Sequence, residues 1–229
     1  DLKSMGGLLG GEEKLIMARK DKNPVCGSFM SKVIAYSMGV LEVNTSMGLI
    51  VAAPTAGSSG VIPGVFTAIQ EEYDLTDDQM MDAMLVASAV GYIITRNATV
   101  SGAEGGCQAE MGSASAMAAA AITEIMGGTP SQALDAASSA IGNMLGLVCD
   151  PIAGLVQVPC ERGNAMGASN AIIWAEMTLA GVINHIPFDQ TVDAMYQVGR
   201  SLPYELRETA LGGLAATKAG CNLCSKIFG

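Results

Sequence analysis

Apolar residues recur along this chain mostly at the three-to-four-residue spacing of helices, and clean alternation of apolar and polar residues is nearly absent. The pattern therefore predicts an all-α protein, a single helical domain spanning residues 1–229 with Gly- and Pro-rich loops between its helices. The predicted helices cover residues 24–44, 63–73, 76–96, 108–126, 129–146, 164–184, 189–200 and 203–211.

Two helix starts carry a specific signal. Thr76 and Thr129 are each followed three residues later by glutamine, at Gln79 and Gln132, which is the pattern of a capping box. In the helix that Thr76 opens, the apolar positions Met80, Met81, Met84, Leu85 and 87–90 nearly encircle the axis. We therefore expect that helix to be deeply buried.

The composition narrows the function classes. Hydrophobic residues make up 50% of the chain but aromatics only 4%, so the core must be built from small or flexible side chains. The net charge of −10 argues against nucleic-acid partners and anionic membrane surfaces. Mean hydropathy is positive, but prolines and glycines interrupt the apolar stretch 47–69, and Glu176 interrupts the stretch 165–183. We therefore expect no membrane-spanning segment.

Three of the six cysteines lie in Gly- and Pro-rich stretches, at Cys107, Cys149 and Cys160. Three thiolates on separate turns can hold a [4Fe–4S] cluster and leave its fourth iron open to a substrate oxygen. Spacing alone favours three buried structural cysteines instead, since free cysteine is among the most buried residue types. The chain has no disulfide-scaffold pattern, so we expect reduced thiols and a cytoplasmic protein.

The sequence around these cysteines favours cluster ligands over buried structural cysteines. The stretches SGAEGGCQAEMGSASAMAAA and CDPIAGLVQVPCERGNAMGASNA, with APTAGSSGVIPG upstream, closely resemble the alpha subunit of bacterial iron–sulfur L-serine dehydratases. The resemblance runs from GGLLGGEEKL to ELRETALGGLAATKAG. It implies that Cys107, Cys149 and Cys160 ligate a [4Fe–4S] cluster, whose open iron acts as a Lewis acid in converting L-serine to pyruvate and ammonia.

The resemblance also implies a substrate site. The loop with Thr55, Gly57 and Ser58 lies at the substrate in the family, and its hydroxyls and N–H groups can hold a carboxylate. Asn97 and Asn164 are further candidate contacts, although the sequence slightly favours a helix C-cap as the role of Asn97. Glu104 can either orient the substrate ammonium or cap a helix, and the loop 4–11 is either a substrate loop or a frayed terminus. A substrate-carboxylate role for Arg162 is ambiguous, because Arg162 stands one residue before the family's basic position, which is Gly163 here.

The catalytic base is not identified in this chain. His185, the single histidine, lies at a predicted helix end and is expected to be structural. The family's candidate base is a histidine of the beta subunit, so the resemblance implies a beta-subunit partner and an oligomer. The chain opens at Asp1 without methionine, and we expect an N-terminal segment to be missing.

Two alternatives remain open at this point. A non-catalytic iron–sulfur sensor or structural subunit would need a fourth ligand, for which Cys221 or Cys224 is available, although an exposed tail is the default for both. A pyridoxal-phosphate dehydratase would need a lysine in a Schiff-base context, and none is convincing. Cys26 is expected in the core.

Overall fold

A computed structural model describes residues 2–229, which form ten α-helices. They are α1 (Glu12–Met17), α2 (Gly27–Thr45), α3 (Val61–Tyr73), α4 (Asp77–Asn97), α5 (Gly102–Gly105), α6 (Ser113–Ile125), α7 (Pro130–Gly142), α8 (Cys160–Leu179), α9 (Phe188–Ser201) and α10 (Lys218–Phe228). A turn of π-helix covers Gln108–Gly112, and 3-10 turns cover Ile152–Gly154, Tyr204–Leu206 and Gly213–Ala216. The described residues contain no β-strand, only an isolated bridge between Cys149 and Arg207. The all-α prediction is confirmed.

Helix α6 is the centre of the molecule. Its sequence SASAMAAAAITEI is almost entirely small, and every residue from 113 to 123 is buried. Helices α3, α4, α7 and α8 pack around it. Because alanine adds so little bulk, these neighbours approach closely: a Cβ on Gly91 of α4 would come within 2.7 Å of Met117 Cε on α6. Alanine also loses no side-chain entropy in a helix, so α6 combines high helix propensity with close packing.

A second layer forms where α2 lies against α3, α8 and α1. A Cβ on Gly64 of α3 would overlap the side chain and backbone of Ser37 on α2. Ser37 itself is fully buried and donates its hydroxyl to the Val33 carbonyl one turn earlier, over 2.7 Å. Glycine at position 64 therefore allows the backbones of α2 and α3 to touch where the two helices cross.

Both predicted capping boxes are present. The side chains of Thr76 and Thr129 accept hydrogen bonds from the backbone N–H of Gln79 and Gln132, and each glutamine accepts the threonine N–H in return. Other boundaries differ from the prediction. Helix α2 begins at Gly27 rather than at residue 24, α7 ends at Gly142 rather than near Gly146, and α8 covers Cys160–Leu179 rather than 164–184.

The C-terminal quarter contains the largest errors. The predicted helix over 203–211 is wrong, because only Tyr204–Leu206 forms a 3-10 turn before the chain extends past Cys149. Residues 218–228, expected as an exposed tail, form helix α10. Its N-cap Thr217 accepts the N–H of Gly220 over 3.1 Å, and α10 packs against the turn Ile152–Gly154.

Helix α4 is less buried than its composition predicts. Ala83, Ala87, Val90, Gly91 and Ile94 face the core. The outer face instead exposes large apolar side chains, with exposed fractions of 63% at Met81, 66% at Leu85 and 67% at Tyr92. Deep burial of the whole helix is therefore wrong. Cys26, expected in the core, is exposed as well.

None of the helices formed by residues 2–229 has both the length and the apolar character that crossing a lipid bilayer demands. This agrees with the sequence-based expectation for the stretches 47–69 and 165–183.

Replacing Thr129 by alanine should lower the free energy of unfolding by about 1 kcal/mol, because α7 loses the acceptor for the Gln132 N–H. Ser131→Ala, an exposed change in the first turn of the same helix, should be neutral or slightly stabilising. Urea unfolding monitored by circular dichroism measures both. Equal stabilities for the two variants would contradict a contribution from the cap.

Candidate active site

Three cysteines from separate segments converge in the interior. Cys107 precedes the π turn, Cys149 ends the loop after α7, and Cys160 is the first residue of α8. They are 8%, 2% and 6% exposed. One ligand atom each from Cys107, Cys149 and the buried carboxylate of Glu110 lie within 4.8 Å of one another. Cys107 Sγ lies 3.9 Å from Oε2 of Glu110.

Gln108 couples the Cys107 turn to the segment that leads into Cys149. Its backbone N–H donates to the Leu147 carbonyl over 3.0 Å, and its Oε1 accepts the Gly146 N–H over 2.9 Å. Its side-chain amide donates to the carbonyls of Gly105 and Met195, both over 2.9 Å. With all these groups satisfied in the core, Gln108 fixes where the first two cysteines meet.

The C-terminal segment clamps Cys149 from the other side. The Cys149 N–H donates to the Leu206 carbonyl over 2.9 Å, and the Cys149 carbonyl accepts the Glu208 N–H over 2.7 Å. Asp150 adds a third tie, because its Oδ2 accepts the Leu214 N–H over 2.6 Å. This pairing explains why residues 203–211 do not continue as a helix: their backbone groups bond to the cysteine loop instead.

Glu110 links the cysteines to the loop before α3. Thr55 Oγ1 donates to Glu110 Oε1 over 2.7 Å and lies 3.1 Å from Ser58 Oγ. Two glycines make room for the carboxylate: a Cβ on Gly57 would lie 3.1 Å from Oε1, and one on Gly102 only 2.7 Å from Oε2. The same Cβ on Gly102 would lie 3.1 Å from Cys149 Sγ. Glycine at both positions therefore lets backbone line the site.

Asn164 joins the same loop to the Cys160 turn. Its Oδ1 accepts the Gly60 N–H over 2.8 Å, and its Nδ2 donates to the carbonyls of Gly57 and Cys160 over 2.7 and 2.8 Å. Asn164 is fully buried. Because both amide hydrogens are used, this side chain holds the two segments together.

The site is electrostatically acidic. Hydrogen bonding with the Cys149 thiol raises the pKa of Cys107 well above its usual range, and burial and the charges of Cys149, Glu110 and Cys160 raise it further. Burial, followed by the charges of Cys149 and Glu110, likewise raises the pKa of Cys160. Burial also raises the pKa of Glu110, against the opposing hydrogen bond from Thr55. A bound metal would favour the deprotonated forms, since its positive charge offsets this repulsion.

A cavity of about 340 Å³ opens beside the cysteines. Cys107 and Cys160 line it on one side, and the exposed Arg162 and the backbone-anchored Leu214 line it on another. Its volume lies at the lower end of small-ligand pockets. A small acidic substrate that enters here meets one cation, Arg162, next to the thiols.

The other predicted residues lie elsewhere or act differently. Asn97 is exposed and donates its amide to the Ile93 carbonyl of its own helix over 2.8 Å. Glu104 and His185 are exposed, and Glu104 accepts a hydrogen bond from Thr99. Cys221 is exposed with its thiol 3.8 Å from the Ala215 carbonyl. These positions therefore do not join the buried thiol group.

The N-terminal loop is anchored through Ser4. Its hydroxyl donates to Gln157 Oε1 over 2.7 Å and accepts the Leu9 N–H over 3.0 Å. Ser4 is only 4% exposed. A frayed terminus is therefore wrong for residues 4–9.

Glu110, Gln108 and Glu208 are the site residues that sequence reasoning missed. Glu110 follows Cys107 by three residues, which places both on one helical face, so the spacing could have revealed it. The charge of Glu208 raises the pKa values of Glu110 and Cys160. Glu208 lies 48 residues after Cys160 in the sequence, so only the tertiary fold brings it near.

Comparison with known proteins identifies the family of this chain. The family described as "Serine dehydratase alpha chain" matches residues 1–215. The chain belongs to this family.

Among its relatives, the probable L-serine dehydratase alpha chain of Bacillus subtilis is 51% identical over 99% of this chain and 76% of its own length. The L-serine dehydratase alpha chain of Peptoniphilus asaccharolyticus is 55% identical over 86% of this chain and 67% of its own length. The L-serine dehydratase of Mycobacterium bovis is 44% identical over 80% of this chain, but the match covers only 41% of that protein. A serine dehydratase alpha region therefore occurs both as a separate chain and within a longer one.

Replacing Asn164 by alanine should lower the free energy of unfolding by about 2–4 kcal/mol, because three buried backbone groups lose their partner. Asn97→Ala is the matched control, since that exposed amide bonds only to its own helix, and it should cost less than about 1 kcal/mol. Denaturant unfolding of the whole chain measures both. Similar losses for the two variants would contradict the role assigned to Asn164.

Proposed function

We propose that this chain is the iron–sulfur subunit of an L-serine dehydratase, in which Cys107, Cys149 and Cys160 hold a [4Fe–4S] cluster. The observation that carries the proposal is that three buried thiols from three segments lie close enough to act on one another's pKa, and that two of them, Cys107 and Cys160, line one cavity. Family membership and the names of the relatives support serine as the substrate.

The donor set fits such a cluster. Thiolates are the usual ligands of iron–sulfur clusters, and three of them leave one iron without a cysteine. Gly102 lies where a Cβ would press on both Cys149 Sγ and the Glu110 carboxylate, so the backbone leaves the space beside the thiols free. The π turn after Cys107 also suits a functional site, because such turns often occur at one.

When bound, the cluster supplies a Lewis acid that makes the serine hydroxyl a better leaving group. The residues of this chain bind and orient the substrate. We propose that the loop with Thr55, Gly57 and Ser58 contacts serine next to Glu110 and that Asn164 acts by holding that loop against Cys160. Asn97 remains a predicted contact that no geometry supports.

Arg162 is the cation that lines the cavity, and we propose that it pairs with the substrate carboxylate. Loss of the Cα proton and of the hydroxyl as water gives aminoacrylate, which tautomerises and hydrolyses to pyruvate and ammonia. We assign the proton acceptor to a partner chain, because His185, the only histidine in the sequence, is exposed and belongs neither to the thiol group nor to the lining of the cavity.

A beta-type partner chain is part of the proposal. The match to the Mycobacterium bovis relative leaves more than half of that protein outside the region shared with this chain, which supports a second component of the enzyme. We propose that the partner covers the outer face of α4, where Met81, Leu85 and Tyr92 are exposed. The six cysteines are unpaired thiols, which supports a reducing, cytoplasmic setting.

The decisive experiment is anaerobic iron and sulfide analysis of the purified chain after cluster reconstitution. We expect about four irons per chain, and loss of most of this iron in Cys107→Ser, Cys149→Ser and Cys160→Ser. The double variant Cys221→Ser/Cys224→Ser should keep its cluster, because Cys221 is exposed and bonds to Ala215.

Different outcomes separate the alternatives. A cluster lost in the double variant would favour a closed, four-cysteine sensor. Absence of iron in the reconstituted wild type would overturn the iron–sulfur proposal. A change in the cluster's EPR spectrum on adding L-serine would support substrate binding at the open iron.

Arg162→Gln should raise KM for L-serine about tenfold or more with a smaller effect on kcat, because a charge-assisted hydrogen bond to the carboxylate contributes roughly 1.5–3 kcal/mol. Arg200→Gln, which removes an exposed positive charge from the end of α9, is the matched control and should leave KM unchanged. Anaerobic kinetics of the complex with its partner chain measure both. A KM unchanged in Arg162→Gln would contradict the assignment.

A further inference from the structure

A second buried acidic group lies one residue along from Cys160. It consists of Glu12 at the start of α1, Glu42 on α2 and Glu161 in the first turn of α8. One carboxylate oxygen from each lies within 4.8 Å of the others. These residues come from three helices, so the group depends on the tertiary fold rather than on local sequence.

Glu161 is the unusual member. Its side chain is fully buried, and neither carboxylate oxygen has a hydrogen-bond partner among residues 2–229. An isolated buried carboxylate is strongly unfavourable, and buried charges are normally paired or bound to metal. A bound cation would satisfy this carboxylate, for which the described part of the chain supplies no hydrogen-bond partner.

The other two carboxylates are held in place by the backbone. Glu42 accepts the N–H groups of Gly11 and Glu13 over 2.9 and 2.7 Å, one on each oxygen. Glu12 accepts the Gly10 N–H over 2.7 Å. Each carboxylate oxygen has a second lone pair. The Gly10–Gly11 turn thus orients two carboxylates toward the unpartnered third without using up their capacity to bind a cation.

We propose that Glu12, Glu42 and Glu161 bind a divalent hard cation of the Mg²⁺, Mn²⁺ and Ca²⁺ class. The donors are all carboxylate oxygens, which these cations prefer, and no sulfur or imidazole belongs to the group. Oxygens on opposite sides of such an ion are about 4–5 Å apart, twice the metal–oxygen distance, so the observed separation fits. Two positive charges offset most of the charge of three carboxylates.

The cation would join α1 and α2 to the first turn of α8, directly next to Cys160. This role is structural and does not depend on the iron–sulfur assignment. Its test therefore uses metal binding and thermal stability rather than turnover.

Mn²⁺ is the probe, added to the cluster-loaded full chain under anaerobic conditions and followed by the room-temperature EPR signal of the free ion. We expect one Mn²⁺ bound per chain and displacement by excess Mg²⁺ or Ca²⁺. Glu161→Gln should weaken binding at least about 100-fold, and Glu12→Gln at the half-buried edge should also weaken it. Glu176→Gln, the same change at an exposed position of α8, should bind like the wild type.

Thermal unfolding shows whether a variant has simply failed to fold. Without metal, Glu161→Gln should be as stable as the wild type or more stable, because a buried charge has been removed. Added Mn²⁺ should raise the Tm of the wild type and of Glu176→Gln but not that of Glu161→Gln. A wild type that binds no Mn²⁺, or equal binding by Glu161→Gln and Glu176→Gln, would overturn the proposal. If the wild type binds no Mn²⁺, a proton on Glu161 accounts for the unpartnered carboxylate.

Discussion

The fold of this chain depends on burying three thiols and the Glu110 carboxylate at one place. Hydrogen bonding with Cys149, burial and the charges of the neighbouring acidic groups raise the pKa of Cys107. Burial and the charges of these neighbours also raise the pKa of Cys160. Such a group is stable in the absence of a cation only with its protons retained, and a metal relieves the repulsion on binding. The surrounding backbone therefore has to hold the acidic groups together against their mutual repulsion.

Small residues provide that geometry at two levels. The alanines of α6 allow four helices to pack close to one axis, which brings the loop before α3 and the start of α8 near the π turn. Gly57 and Gly102 then let the backbone approach the Glu110 carboxylate more closely than any side chain would permit. Low aromatic content, which the sequence shows directly, is thus a consequence of how tightly the helices must approach. Hydrogen bonds to Gln108 and Asn164 replace the specificity that large interlocking side chains would otherwise provide.

Local signals in the sequence predicted the starts of α4 and α7, because the capping boxes at Thr76 and Thr129 depend only on neighbouring residues. Burial of α4 was not predictable in the same way, since Met81 and Leu85 are apolar yet lie on an outer face. The helix predicted over residues 203–211 was wrong for a related reason. The backbone of this segment makes hydrogen bonds to Cys149, which lies more than 50 residues away in the sequence. The three cysteines stood out in the sequence, whereas Glu208 and the Glu161 group depend on tertiary contacts that no local pattern records.

The first turn of α8 and the residue that follows it connect these features, because Cys160, Glu161 and Asn164 have different neighbours. Cys160 lines the cavity with Cys107, Glu161 meets Glu12 and Glu42, and Asn164 holds the Gly57 loop. The turn begins a 20-residue helix, so its N-terminal dipole favours negative charge on both Cys160 and Glu161. Two anionic groups one residue apart nevertheless repel each other, and the dipole cannot neutralise both. A cation at each group would remove that conflict, and the position of Cys160 would then depend on how the neighbouring carboxylates are occupied.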